Sequence, residues 1–473
     1  MGLVTLMAAL IGIWARPIGG YLSAFWVATA IVLGLMLRDK RNASLACWAA
    51  ITLGFVAADI LTHATWLKAI WLSAANLTGI ACGWLLMRKM APGILALRRK
   101  SSMLSLLMGC TAAALGSTAV GMWTGPVLFA NTLGSSAILW FSSEMLNYAL
   151  ILPVMLSFPS KHNQDSLPHV FTRFSLTHFA PLLSLIVAEA AAYVVGGPGA
   201  LAFTTPALLW CALSYSVFST ASLALLICAW KTIAVAIGAF AFIPEHASDI
   251  TSLRLGLTLL SLGPLAVACS NAVRNELLQR LDRAVNFDYL TNVLARGAFL
   301  RQGQRMLERC THDGTGAAVL MLDLDHFKRV NDRFGHAGGD ALLCAFSQSL
   351  RNTLRSQDVF GRMGGEEFAI VLPEVSHNEA LVIAKRLLNI TRDLQVPLGK
   401  ETIRVTVSIG LVHSKPIPAE TRVEDMLLQA DKALYEAKAC GRDKVVALRF
   451  SSQNSLLPQA ITSVLPEYSV QSL

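Results

Sequence analysis

The chain has 473 residues, with 39 Lys+Arg against 30 Asp+Glu, a net charge of +9 and a mean hydropathy of +0.54. Only 15% of residues are charged and 54% are hydrophobic, against roughly 25% charged in an average soluble domain. That composition excludes a disordered chain and a secreted disulfide scaffold, and it argues against a single soluble enzyme.

The average hides two halves. Residues 1–273 are almost continuously apolar, whereas 274–450 carry ordinary charge, alternation and turn residues. A helix needs ~20 apolar residues to cross a bilayer. Segments meeting or approaching that length are 3–15, 19–37, 43–62, 69–87, 103–123, 137–157, 176–195, 199–215, 217–242 and 253–273, so the sequence predicts an α-helical transmembrane bundle of about ten spans. Basic residues recur after alternate spans: Arg38, Lys40 and Arg41; Arg88, Lys89, Arg98, Arg99 and Lys100; Lys161 and Arg173; Arg274 and Arg280. The intervening loops near 63–68, 124–136 and 196–198 are nearly free of them, which places both termini in the cytoplasm. The N-terminus lacks the basic n-region of a cleavable signal.

Asp59, Asn76, Glu144, Asn147 and Glu189 fall inside spans. A carboxylate at membrane depth is costly unless paired or protonated, so these residues mark either a ligand or proton-sensing pocket or hydrogen bonds between helices. The nine cysteines show no CxxC and no zinc spacing with histidine, and read as reduced thiols. The segments FWVATAIVLGLMLR (25–38), GFVAADIL (54–61) and AANLTGIACGWLLMRK (74–89) resemble the membrane-associated sensor domains that precede bacterial signalling output domains.

Residues 271–287 read NAVRNELLQRLDRAVNF, with Leu277, Leu278, Leu281, Ala284 and Val285 at helical spacing. A signalling helix or linker over 274–287 is expected, able to pair with a second copy, although the run is under three heptads.

The soluble half alternates strands and helices. Strands are predicted at Ala317–Asp323, Glu367–Leu372, Ile403–Val412 and Lys444–Arg449. Helices are predicted at Phe327–Phe334, Asp340–Leu354, Asn378–Leu394 and Val423–Ala439. This is α/β or α+β layering. Residues 451–473 are polar and patternless, and read as a flexible tail.

Two segments of this half carry chemistry. In DLDHFKRVNDRFGHAGGD (323–340), Asp323 and Asp325 end an apolar strand, where a carboxylate and the neighbouring carbonyls suit Mg²⁺. In RMGGEEF (362–368), Gly364 and Gly365 form a hairpin turn between two strand-like runs, with Glu366 and Glu367 at its tip. Glycines let a nucleotide lie against the backbone. There is no GxxxxGK[ST], so a Walker-type phosphate loop is excluded.

The run GGEEF is an accepted form of the signature of the GGDEF diguanylate cyclases, and the resemblance extends further. Asp288-Tyr289-Leu290-Thr291-Asn292 resembles the family's entry motif, DLDHFKRVND its strand–loop–helix, FGHAGGD the continuation, and YEAKACGRDKV (435–445) its C-terminal motif. The resemblance covers about 286–450 and implies a palm-like GGDEF domain over 288–450. It implies condensation of two GTP, held in opposed halves of a homodimer, into cyclic di-GMP and pyrophosphate.

Carried onto this sequence, the resemblance gives Asp323, the Leu324 carbonyl and Glu366 as ligands of Mg²⁺ or Mn²⁺, with two ions per site. Glu366 or Glu367 would assist deprotonation; the sequence does not assign which. Lys328, Lys438 and Arg442 would hold phosphates. Asn331 and Asp340 would read the guanine edge, and a carboxylate there favours GTP over ATP. Gly364 and Gly365 complete the substrate site. Arg355 and Asp358, separated from Gly364 by Val359–Met363, match the family's RxxD product-inhibition site, and Arg386 lies where a supporting arginine occurs. The resemblance implies a multi-pass protein of the bacterial inner membrane with its catalytic domain in the cytoplasm. The alternative is a catalytically silent receptor for GTP or cyclic di-GMP. No nucleic-acid partner is expected, because no basic stripe with interleaved aromatics occurs.

Overall fold

The computed structural model describes residues 1–14, 25–99, 101–128, 132–159, 176–238, 246–399 and 401–451. The chain divides into two compact units, Met1–Leu277 and Leu278–Leu473.

The first unit is helical. Among the described residues five helices are long and apolar enough to cross a membrane: Trp66–Met87, Ser102–Val127, Leu133–Ser157, Val217–Ala236 and Ser248–Asn286. Gly2–Trp14, Ala28–Arg38, Leu45–Leu61 and Phe179–Val195 are apolar but shorter. The expectation of about ten spans is therefore not met in the described residues. The 13-residue helix Gly2–Trp14 rises only ~20 Å, short of a hydrocarbon core of ~30 Å. The stretch 199–215 is not one helix: a short helix Gly197–Ala200 is followed by a turn over 201–204 and then by the 10-residue helix Thr205–Ser214. Parts of the predicted spans 19–37 and 217–242, the loop cations Lys100, Lys161 and Arg173, and the tail 452–473 lie outside the described residues.

Small residues set the closest helix packing here. Gly79 and Gly83 sit four apart on Trp66–Met87, and a Cβ at Gly79 would lie 2.9 Å from Ser117 Cβ. At Gly116 a Cβ would lie 2.6 Å from Cys82 Sγ. Two apolar helices in lipid gain contact by this approach rather than by excluding water. Three of the polar groups predicted inside spans have partners elsewhere in the chain. Glu144 accepts from Thr29 Oγ1 at 3.2 Å, Asn147 Oδ1 accepts from the Trp26 N–H at 3.2 Å, and Glu189 pairs with Lys231 at 2.8 Å. Lys231 and Arg254 are themselves buried inside helices, and Arg254 donates to the Leu139 carbonyl at 3.3 Å. Asp59 and Asn76 are buried as well.

One helix runs unbroken from Ala247 to Asn286. It contains the expected junction, and Leu277, Leu278, Leu281 and Val285 are exposed along it.

The second unit is a three-layer α/β/α domain on a six-stranded mixed sheet. Its strands are β1 (Leu294–Ala295), β2 (Ala317–Leu324), β3 (Val359–Gly364), β4 (Glu367–Pro373), β7 (Val407–Ser414) and β8 (Val445–Arg449), in the order β1-β3-β4-β2-β7-β8. The central pairs are antiparallel, and β1–β3 and β7–β8 are parallel. A hairpin of β5 (Val396–Leu398) and β6 (Glu401–Ile403) stands apart. The strand predicted over 403–412 is therefore two strands, β6 and β7.

Strand β2 is buried at every position, as expected of a strand covered on both faces. Alternation sorts its side chains. Ala318, Leu320, Leu322 and Leu324 face helices Phe327–Arg351 and His377–Asp393, while Ala317, Val319 and Met321 face helices Arg296–His312 and Val423–Ala439. Burial of each large apolar side chain in these two cores contributes about 1.5–3 kcal/mol. Gly410 of β7 is required by close approach: a Cβ there would strike the Ala430 carbonyl. Helix Phe327–Arg351 is interrupted at Gly335 (φ 71°, ψ 172°), which matches the two helices expected on either side of that glycine.

Candidate active site

Register assembles the site. Asp323 of β2 lies opposite Glu367 of β4, and Gly364 pairs with Glu367 across the β3–β4 turn. Gly364 has φ 155° and Gly365 φ 51°, conformations open to glycine and costly for other residues. The Leu324 N–H donates to the Glu366 carbonyl at 3.4 Å, so the end of β2 lies against the hairpin tip.

Asp323 is buried, and its Oδ2 lies 2.8 Å from Lys438 Nζ at the end of helix Val423–Ala439. Burial pushes the Asp323 carboxyl up and the neighbouring Glu366 and Asp325 add to the rise, more than Lys438 offsets. Burial also raises Glu367, with Asp323 and Asp431 adding to it. Negative charge is thus concentrated and only partly compensated at this edge. Among the described residues no group of three His, Cys, Asp or Glu side chains converges at ligating distance; Lys438 is the cation on Asp323. A hard divalent ion fits the donor set, since carboxylates that raise one another's pKa gain when a cation comes between them.

Lys328 is exposed on the first turn of its helix. Arg442 is exposed in the turn after Ala439, held at φ 62°. Neither has a side-chain partner among the described residues. Asn331 and Asp340 lie on the two sides of the Gly335 break, and a Cβ at Gly339 would collide with Asn331 Oδ1, so the carboxamide sits directly beside the start of Asp340.

Asp325 is not a surface acid. It is buried and accepts from Thr406 Oγ1 at 2.7 Å, Ser408 Oγ at 2.8 Å and the Asp443 N–H at 3.1 Å. Its charge is spent on holding the turn that carries Arg442.

Sequence reasoning assigned no role to Arg362. Its guanidinium donates twice to the Gly365 carbonyl, at 2.9 and 2.6 Å, and pairs with Asp288 Oδ1 at 2.9 Å. Asp288 also accepts from the N–H and hydroxyl of Thr291. Burial alone would raise Asp288; the Thr291 and Arg362 hydrogen bonds outweigh it and hold the carboxyl below its ordinary value. The signal was available, since Asp288 and Thr291 stand in the entry motif and Arg362 directly precedes the glycines.

Arg355, Asp358 and Arg386 come together away from this edge. Asp358 Oδ2 accepts from the Arg355 N–H at 2.7 Å, and Arg386 donates to the Thr353 carbonyl at 3.1 Å. Burial raises the Asp358 carboxyl against the pull of Arg355 and Arg386.

An α/β/α domain with acids and cations gathered at the end of a central hairpin belongs to the nucleotide-handling class its sequence motifs indicated. Residues 285–444 match the family described as "Diguanylate cyclase, GGDEF domain". The probable diguanylate cyclase DgcF of Escherichia coli K12 is 31% identical over 325 residues, covering 66% of this chain and 98% of that protein. Its counterpart in E. coli O157:H7 is 31% identical over 325 residues, covering 66% of each chain. This chain belongs to the GGDEF diguanylate cyclase family. The aligned stretch is longer than the whole of Leu278–Leu473, so the likeness reaches into the apolar half. A crystal structure of the coiled coil and GGDEF domain of DgcB from Caulobacter crescentus with c-di-GMP has 26% identity and a TM-score of 0.35, covering 37% of this chain and 92% of that one.

Proposed function

We propose that this protein is a membrane-anchored diguanylate cyclase, active as a homodimer, that condenses two GTP into cyclic di-GMP and two pyrophosphates. The observation that carries the reading is the edge where Asp323, Glu366, Glu367 and Lys438 meet beside two positive-φ glycines. Phosphoryl transfer needs positioning and charge compensation more than covalent chemistry, and this edge offers both.

Asp323, Glu366 and the Leu324 carbonyl would hold Mg²⁺ or Mn²⁺, two ions per site. Bound there, the metal neutralises triphosphate charge and lowers the pKa of the attacking hydroxyl. Lys328, Lys438 and Arg442 bind the phosphates; Lys438 leaves Asp323 to do so. Asp340 and Asn331 accept from and orient the guanine edge. Gly364 and Gly365 keep the hairpin tip clear of side chains, and Glu366 or Glu367 assists deprotonation of the attacking hydroxyl. Arg355, Asp358 and Arg386 form the inhibitory product site, where two guanidinia suit phosphate and an acid suits a guanine edge. The apolar half anchors the chain in the inner membrane with the second unit in the cytoplasm. It senses a signal passed along the helix Ala247–Asn286, setting whether two half-sites meet.

The test is product analysis. Full-length protein in detergent, given GTP and Mg²⁺, should yield cyclic di-GMP by chromatography and mass spectrometry, and Glu366→Ala should yield none. A native chain that stays silent even when residues 276–473 are fused to a dimerising tag refutes the cyclase reading and leaves a receptor.

A further inference from the structure

A cavity of about 870 Å³ opens on the second unit between the first turns of helix Phe327–Arg351 and the segment 402–406. None of Asp323, Lys328, Asn331, Asp340, Glu366, Glu367, Lys438 or Arg442 lines it, so it is separate from the edge assigned above to GTP. On the helix, Arg329 and Arg333 are one turn apart and project toward the cavity, around the axis from Lys328 and Asn331.

The lining has two characters. Phe334, with the Arg333 guanidinium 5.0 Å from its ring centroid, is the half-buried apolar residue of the lining, backed by the buried Val330, Ile403 and Val405, while Arg329, Arg333, Arg392 and Arg404 form a cationic rim. Arg333 is tied to Glu401 at 2.6 Å and Arg392 to Asp443 at 2.9 Å. Arg329 and Arg404 are exposed and have no side-chain partner among the described residues. Asp325 at the floor is already saturated by Thr406, Ser408 and the Asp443 N–H. Asp332 remains as a rim acid, outnumbered by the two unpartnered arginines.

This combination selects a ligand class. Guanidinia match phosphate oxygens in bidentate fashion. An aromatic ring backed by apolar side chains takes a flat heterocycle, and the volume lies in the range of small-molecule sites. We propose that this cavity is a second ligand site, for a nucleotide, with phosphates on Arg329 and Arg404 and the ring beside Phe334. It adjoins the turn that presents Arg442, because Arg392 and Asp325 are shared by its wall and floor with the anchorage of Asp443.

ATP is the probe, titrated calorimetrically into full-length protein in detergent, with pyrophosphate in a parallel arm. Both arginines are exposed, so Arg329→Ala/Arg404→Ala should leave the melting temperature unchanged. The expected result is saturable ATP binding that survives Lys438→Ala, weakens at least about tenfold in Arg329→Ala/Arg404→Ala, and exceeds pyrophosphate binding. Binding lost in Lys438→Ala and intact in the double variant would assign the ATP to the reaction site and overturn the proposal. So would the absence of saturable binding at millimolar ATP, or pyrophosphate binding as tightly as ATP.

Discussion

Replacing Asp288 by Asn tests how the hairpin tip is held. Asp288 accepts from Arg362 at 2.9 Å and from Thr291 at 2.9 and 2.6 Å, and the two charged side chains are only 18% and 12% exposed. The amide keeps the shape and removes the charge. Hydrogen bonds to a charged group contribute ~1.5–3 kcal/mol, and the Arg362 guanidinium would lose its ionic partner in a half-buried place. Because Arg362 also grips the Gly365 carbonyl, the loss should reach the β3–β4 turn. Amides of that hairpin that exchange by local opening should then exchange roughly 10–100 times faster, read by mass spectrometry on full-length protein in detergent. Asp288→Asn and Arg362→Ala combined should do little more than either alone, since both cut one link. Unchanged exchange over β3 and β4 in Asp288→Asn, alongside faster exchange in Arg362→Ala, would show that the ion pair does not position the turn.

Asp323→Asn should raise the melting temperature at neutral pH while abolishing cyclisation. The raised Asp323 carboxyl means that its charge costs folding energy above its folded pKa, a cost relieved as pH falls toward the ordinary value of 3.8; equal or lower melting in the variant would reverse that sign. Gly365→Ala should cost about 1–2 kcal/mol, because φ is 51° there and a Cβ meets the left-handed penalty even with open space around it; an unchanged melting temperature and full activity would mean that the turn relaxes freely. One residue inserted at Gln279, inside the helix Ala247–Asn286, turns everything beyond it by about 100° and should change cyclase activity; an unaltered rate would rule out rigid coupling along that helix.

The second unit was legible because its strands obey simple patterning. The run AAVLMLD is apolar up to Asp323 and forms the strand buried on both faces, and the helix predicted over Val423–Ala439 begins and ends at those residues. The hairpin was visible in Gly364-Gly365. Helix Arg296–His312 was legible too, since Phe299, Gly303, Leu307 and Cys310 recur at helical spacing with the charged residues on the opposite face, but no sequence expectation covers it. The division of 403–412 into β6 and β7 leaves no mark, because Ile403, Val405, Val407 and Ile409 alternate without a turn residue between the two strands. In the apolar half, composition identifies hydrophobic segments but not where a helix stops, and the turn over 201–204 leaves only the 10-residue helix Thr205–Ser214 in the predicted span 199–215. Lys231 and Arg254 were missed for the opposite reason: a single cation barely alters the mean hydropathy of a span, yet each is buried among other helices.

The acids at the end of β2 show what spacing alone leaves open. Asp323 and Asp325 are two residues apart, and both suit a metal by type. Beyond the strand's last residue the chain turns, and the Asp325 N–H bonds the Thr406 carbonyl at 2.9 Å, which draws its side chain inward among hydroxyls and the Asp443 amide. Three hydrogen bonds satisfy that carboxylate, so it has little to gain from an ion. Asp323 remains in the ladder opposite Glu367, with Lys438 as the cation beside it. The acid left under-compensated is the one available to chemistry, and its neighbour is the brace that fixes where Arg442 stands.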